Sequence, residues 1–407
     1  MSIQRGIMLS LVVAAACGGG GGGPAGPDGA VEVDGAVAVD AAPAIDAPAA
    51  ACDVSMLPPY APVPIMSRSI LPSDTAAPGE TINDVLQGTL KRHYLVAPAA
   101  GQPAPTRALL WLAGSGAEPH QFTKVLAIGA AAGYLGVSLA YDNETQVAQL
   151  CGSTTEPACN SRMNLDCGDQ VRQEIIYGTD TSPCIDVPRA DSIEHRVVRL
   201  VQYVDAQLPM LGARGFLDAT GAALDWSKWA VGGWSQGGGH AGVLARDHLV
   251  ARALFVSKGG DSVLCPLTTS DPDRDCDVNG DGVFDPTDDD ELQVPAPATY
   301  LPRLTPGSRA FGAVHEREGA WAFSRETFAA YGMGAKGSEV RVDGLGPFPA
   351  AFDDFHCAHT FSTIATPASG PNDFHISMAI DGAMAVDADG VPVLAPMYFY
   401  ALTVPVP

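Results

Sequence analysis

Residues 229–248 constrain this chain more than any other stretch. A short apolar run, Trp229–Gly232, passes into Gly233-Trp234-Ser235-Gln236-Gly237, then into Gly238-Gly239-His240 and the helical pattern Ala241–His248. A strand that becomes a helix within a few residues brings backbone against backbone. Glycine on both flanks removes the Cβ atoms that would collide there. Ser235, at the apex, is forced into a strained conformation with its hydroxyl above the carboxyl edge of a sheet. The helix N-terminus beneath it favours negative charge. The same letters could make a Gly-rich turn with a capping serine. The strand before and the helix after turn G-x-S-x-G into a nucleophile.

Such an elbow needs a sheet around it. Further strands are expected at Arg92–Ala97, Ala108–Ala113, Leu135–Ala140, Ala251–Val256, Arg309–Val314 and Ser338–Val342. Between them, Ser192–Leu208 places Ile193, Val197, Leu200, Val201 and Val204 on one helical face, and Trp321–Tyr331 forms another helix. Continuous apolar strands alternating with amphipathic helices imply an α/β fold, a mostly parallel sheet with helices on both faces.

Chain order then assigns the partners of Ser235: an acid next, a histidine last. The strand Arg309–Val314 exits as His315-Glu316-Arg317-Glu318. A position a few residues past the strand end favours Glu318 over Glu316, with Asp261 after the preceding strand as the competitor. His356, His359 and His375 follow the last strand, and distance along the chain favours the first two. His240 reads as structural. An oxyanion hole would take one backbone N–H from Gln236 and the other from Ser115 or Gly116, where Ala108–Ala113 ends in Gly114-Ser115-Gly116.

Charge excludes some partners. In 407 residues, 46 Asp and Glu against 23 Lys and Arg leave a net charge of −23. A surface this acidic repels phosphate backbones and argues against nucleic acid. The excess is local: residues 18–50 carry five acids and no base, and residues 271–291 carry ten acids and only Arg274.

The N-terminus reads as an address. Arg5 precedes Ile7–Ala16, a run of ten residues that would rise roughly 15 Å as a helix, too short to span a bilayer. This is a signal peptide over 1–16. Cys17 follows three alanines and precedes Gly18–Gly23, which resembles a bacterial lipoprotein cleavage site, with Cys17 taking the lipid. An ordinary secretory signal is the other reading. Residues 17–50 form a Gly/Ala/Pro/Asp tether expected to stay disordered, 51–88 a Pro-rich lead-in, and 89–407 the folded domain. The eight other cysteines (Cys52, Cys151, Cys159, Cys167, Cys184, Cys265, Cys276 and Cys357) form an even set, enough for four disulfides in an exported chain. No spacing is CxxC, which disfavours a zinc ribbon.

From about residue 90 onward the chain resembles a group of secreted bacterial α/β-hydrolases. The similarity lies in LLWLAGSGAEP, ADSIEHRVVRLVQY, GGWSQGGGHAG, ARALFVSKGGD, FGAVHERE and the tail NDFHISMAIDGAMAVDADGVPVLAPMYFYAL. That resemblance implies the α/β-hydrolase fold and a serine esterase, and it places the base at His375.

An insertion spanning 265–295 carries a second motif. Asp277, Asn279, Asp281, Asp285 and Asp288, with the Val283 carbonyl and Gly282 at the sharp turn, have the spacing of a calcium loop. The DVNGDG opening and terminal Asp resemble a dockerin-type loop. A single copy within a domain implies a structural clamp, against the alternative of a solvated acidic loop.

The expectation is an exported, lipid-anchored serine hydrolase of carboxylic esters, with structural calcium, no organic cofactor and a membrane contact only through its lipid. The alternative is a catalytically silent hydrolase-fold lipoprotein acting as a calcium-stabilised binding module. If calcium neutralises the insertion, binding to the folded state alone stabilises by about 2.7 kcal/mol at a hundredfold excess over Kd. A chelator is therefore expected to lower the melting temperature, calcium to restore it, and Asp281→Ala to abolish both effects. A melting curve indifferent to chelator and calcium alike identifies a merely solvated acidic loop.

Overall fold

The computed structural model describes Leu57 and residues 60–406, apart from positions 154, 162, 259, 265–292, 296–299, 344–354, 356, 371 and 372. Ala44–Pro407 forms one compact unit. A second unit, Met1–Pro43, lies outside the described residues, as do Cys17, the calcium-loop residues, Cys52, Cys265, Cys276 and His356. Among the described residues no helix is long and apolar enough to cross a membrane.

Each apolar run forms a strand of one nine-stranded sheet. In chain order these are β1 (Ile65–Ile70), β2 (His93–Pro98), β3 (Arg107–Leu112), β4 (Tyr134–Leu139), β5 (Trp229–Trp234), β6 (Arg252–Val256), β7 (Ala310–His315), β8 (Val340–Arg341) and β9 (Thr360–Thr363). They lie side by side as β1-β2-β4-β3-β5-β6-β7-β9-β8. β2 is antiparallel to both neighbours, and every other pairing is parallel. This is the α/β-hydrolase fold, with β5 the middle strand of the nine. The domain's sheet begins earlier than the Pro-rich composition suggested. β1 lies within the stretch read as a lead-in, because this edge strand exposes most of its side chains and lacks an apolar run.

Helices α1 (Thr123–Ala131), α2 (Cys167–Tyr177), α3 (Ile193–Gln207), α4 (Gln236–Asp247), α5 (Trp321–Ala330) and α6 (Ala395–Thr403) pack around the sheet. The Ser192 hydroxyl accepts the His195 N–H and caps α3, and all five residues of its expected apolar face are buried. The β3–β5 register pairs Leu112 with Gly233, so the loop after β3 and the turn after β5 leave the sheet side by side. Ser235, Lys258 and Glu318 all follow the carboxyl ends of neighbouring parallel strands. Active sites of open α/β sheets form along that edge.

The excursion between β4 and α3 is cross-linked. Cys151 bonds Cys167 and Cys159 bonds Cys184, with Cα separations of 5.9 and 5.6 Å, and the Cys167 and Cys184 sulfurs are 3.8 Å apart. Cys167 is the first residue of α2, so both bridges meet at its N-terminus. Among the described residues no cluster of His, Cys, Asp and Glu could hold a metal ion. Beyond Asp261, Ser262–Leu264 pairs antiparallel with Gln293–Pro295. Replacing Cys151 and Cys167 by serine reopens a 16-residue separation, and about 3 kcal/mol of stability should be lost in denaturant unfolding. An unchanged midpoint would show that the bridge constrains nothing.

Candidate active site

Ser235 stands where β5 ends and α4 begins, at φ 55° and ψ −123°. Such a backbone costs of order 1–3 kcal/mol and persists only where the surroundings dictate it. Here they do. A Cβ on Gly237 would lie 2.0 Å from the Leu112 carbonyl oxygen, and one on Gly233 2.3 Å from the Gly237 carbonyl carbon. The Ser235 N–H donates to the Val256 carbonyl at 2.9 Å, and the Ser235 carbonyl accepts the Gly238 and Gly239 N–H groups at 2.9 and 3.3 Å. That carbonyl points along the helix axis, so the Gln236 N–H of the same trans peptide points the opposite way, out of the helix.

His375 is brought to the elbow by a short helical turn, Phe374–Ser377. Its carbonyl accepts the Trp234 indole N–H at 2.8 Å, and its ring lies 4.8 Å from the Trp234 ring. Its Nδ1 meets the Glu318 carboxylate at 2.8 Å. Glu318 is 2% exposed and His375 39%, so the acid is sealed while the imidazole stays reachable. With the proton on Nδ1 donated to Glu318, Nε2 is left as the acceptor.

The other carboxylates are engaged elsewhere. Glu316 takes a two-point bond from Arg341, at 2.6 Å to each oxygen, and a third bond from Ser362. Arg341 holds its carboxyl below the usual range. Asp261, the competing acid, does not meet His375 in this structure. Both of its oxygens accept from the buried Arg172, at 2.5 and 2.6 Å. Burial pushes the Asp261 carboxyl up, but the adjacent guanidinium outweighs it and the net shift is downward.

Nor does His359 approach the elbow. Its Nδ1 bonds the Ala310 carbonyl at 2.8 Å and its ring stacks on Phe311 at 4.3 Å. Ala310 begins β7, so His359 lies at the edge of the sheet opposite Glu318. His240 is fully buried in α4, and burial together with Arg172 holds its pKa far below the usual value.

Of the expected oxyanion donors, Gly116 is redirected: its N–H donates to the Asn143 carbonyl at 2.8 Å. Ser115 and Gln236 remain, and among the described residues neither N–H donates elsewhere. Their side chains bridge the two loops, the Ser115 hydroxyl donating to Gln236 Oε1 at 2.7 Å. Three residues that sequence reasoning did not single out support this corner. The Asn143 amide donates to the Gly114 and Ala117 carbonyls at 2.5 and 3.0 Å, and the Tyr141 hydroxyl donates to the Ala113 carbonyl. Trp234 fills the space over Gly114, where a Cβ would meet its ring at 2.6 Å. Of these only Trp234, the variable position inside G-x-S-x-G, carried any signal in the sequence.

No protein-family model matches the chain, and no curated protein matches its sequence. Solved structures resemble it at low identity. A mutant of the esterase rPPE is 13% identical over 84% of this chain and 82% of its own, at a TM-score of 0.35. Esterase B from Lactobacillus rhamnosis, described with a tributyrin phosphonate, is 11% identical over 84% and 87%, at 0.37. A putative dienelactone hydrolase from Klebsiella pneumoniae is 9% identical over 83% and 95%, at 0.33. Likenesses this distant say nothing about substrate, so the chemistry has to be read from the residues.

The two glutamates after β7 can be separated by the rate at which a fluorophosphonate labels Ser235. Glu318→Gln is expected to slow labelling roughly a thousandfold or more, as loss of the carboxylate behind a catalytic imidazole does. Glu316→Gln, which disturbs the bonds to Arg341 and Ser362 and none to His375, should label at the parental rate. The reverse order would move the acid to Glu316.

Proposed function

We propose that the chain is a serine hydrolase of carboxylic esters. The observation that carries this reading is the strained Ser235 at a strand–helix elbow whose own Trp234 grips His375, itself bonded to the sealed Glu318. The Ser235 hydroxyl adds to the ester carbonyl carbon while His375 Nε2 takes its proton. The carbonyl oxygen, now an oxyanion, is met by the N–H groups of Gln236 and Ser115 at the N-terminus of α4, whose dipole adds to the field. As the oxyanion collapses, the C–O bond to the alcohol breaks and the imidazolium returns its proton to the departing oxygen. Water, deprotonated by the same imidazole, then adds to the acyl-serine ester and releases the acid. Glu318 keeps its proton count throughout; it holds the ring and stabilises the imidazolium.

Cysteine usage, the signal-like N-terminus and Cys17 support an exported protein held at the cell envelope by an N-terminal lipid. The acidic insertion supports a structural calcium ion outside the reaction path.

Hydrolysis of short p-nitrophenyl esters tests the reading. Ser235→Ala and His375→Ala should each lower kcat by several orders of magnitude, and to similar extents, because nucleophile and base act as a unit. His359→Ala should leave most of the rate, since that ring lies at the far edge of the sheet. A Ser235→Ala protein with near-parental turnover would refute the nucleophile, whereas a parent protein without turnover on any ester would favour a silent binding module.

A further inference from the structure

A fully buried arginine sits beneath the nucleophile, and the chemistry above does not use it. Arg172 lies on α2 with none of its surface exposed. Its Nε and Nη2 donate to the two carboxylate oxygens of Asp261, and its Nη1 donates to the backbone carbonyl of Gln236 at 2.9 Å. The same Nη1 lies 3.5 Å from His240 Nδ1. The guanidinium fits so closely over α4 that a Cβ on Gly239 would stand 2.3 Å from its Cζ. Gly239 is therefore needed for an arginine to be there at all.

Stability alone does not account for this arrangement. A buried ion pair carries a desolvation cost that its attraction often fails to exceed, and well-packed apolar residues commonly serve as well or better. The third bond is what such residues could not make. It fixes the plane of the peptide joining Gln236 to Gly237. The preceding peptide, joining Ser235 to Gln236, is fixed by the Gly238 and Gly239 N–H groups. Two successive planes held from below leave the Gln236 N–H one direction, upward beside Ser235. An oxyanion hole works because its donors are aimed before charge develops. α2 is itself anchored at its N-terminus by Cys151–Cys167 and farther along by Asp169, which pairs with Arg246 of α4.

We propose that Arg172 is a positioning residue for the oxyanion donor: by holding the Gln236–Gly237 peptide it aims the Gln236 N–H. The inference rests on the ester-hydrolase reading, and it is testable separately. Arg172→Met alone strands a buried carboxylate, so the informative variant is the pair Arg172→Met/Asp261→Leu, whose apolar side chains refill the space. The folded pair variant is expected to keep its KM for p-nitrophenyl butyrate within about twofold while kcat falls roughly tenfold to a hundredfold, less than complete removal of a donor. Hydrogen exchange should quicken in the peptide covering residues 234–243 and stay parental across α3. Arg172→Lys keeps a charge for Asp261 but cannot reproduce the guanidinium fork, so it should show the same split between kcat and KM. Parental kcat in either folded variant overturns the proposal, as does parental exchange at residues 234–243. A parent protein inert towards every ester would refute the hydrolase reading instead, and the exchange data would still decide whether Arg172 holds that turn.

Discussion

The close passage of the first turn of α4 against the end of β3 is the constraint on which the rest of this molecule depends. At 2.0 Å from a would-be Cβ of Gly237, the Leu112 carbonyl permits only glycine, and no relaxation of a flexible side chain can relieve the contact because it is backbone against backbone. That packing holds Ser235 in its unfavourable conformation. It also puts the loop after β3 next to the elbow, so that Ser115 and Gln236 can bridge. The strain has to be opposed by a rigid centre. β5 supplies it, buried along its whole length between β3 and β6.

Around that centre, the site is assembled from pieces far apart in sequence but adjacent on one sheet edge. Trp234 joins three of them: it ends β5, covers Gly114 and carries the His375 carbonyl. Asp381, six residues beyond His375, accepts the Thr123 and Lys124 N–H groups at the start of α1 at 2.9 and 2.8 Å. The histidine segment is thus pinned both at the elbow and at a helix N-terminus, where a carboxylate is well placed. An imidazole held at two points can pass a proton without first searching for its partner.

Much of this was legible from residue order. Strands buried on both faces announce themselves as unbroken apolar runs, and the elbow announces itself by the glycines its geometry demands. The edge strand β1 was hidden because an exposed edge has no apolar face to display. The acid stayed ambiguous because Asp261, Glu316 and Glu318 all follow strand ends. What separates them is the arginine each meets or does not meet, Arg172 and Arg341 being remote in sequence. Proximity along the chain pointed to His356 or His359; His356 lies outside the described residues, and His359 folds to the wrong edge because it precedes β9, while the tail beyond β9 returns to the carboxyl side, bringing His375. Gly116 and Ser115 were equivalent by sequence and differ only in that the Asn143 carbonyl takes one N–H. Arg172, on a helix of mixed polarity, left no trace.

The two disulfides within residues 151–184 give the site a history as well as a shape. All four of their cysteines fall within residues 151–184, the stretch that carries the arginine under the nucleophile. The sheet, the elbow and the His375–Glu318 pair involve none of these sulfurs. Oxidation of these four thiols fastens the stretch that carries Arg172, so the redox state of the surroundings reaches the site through the floor beneath Ser235.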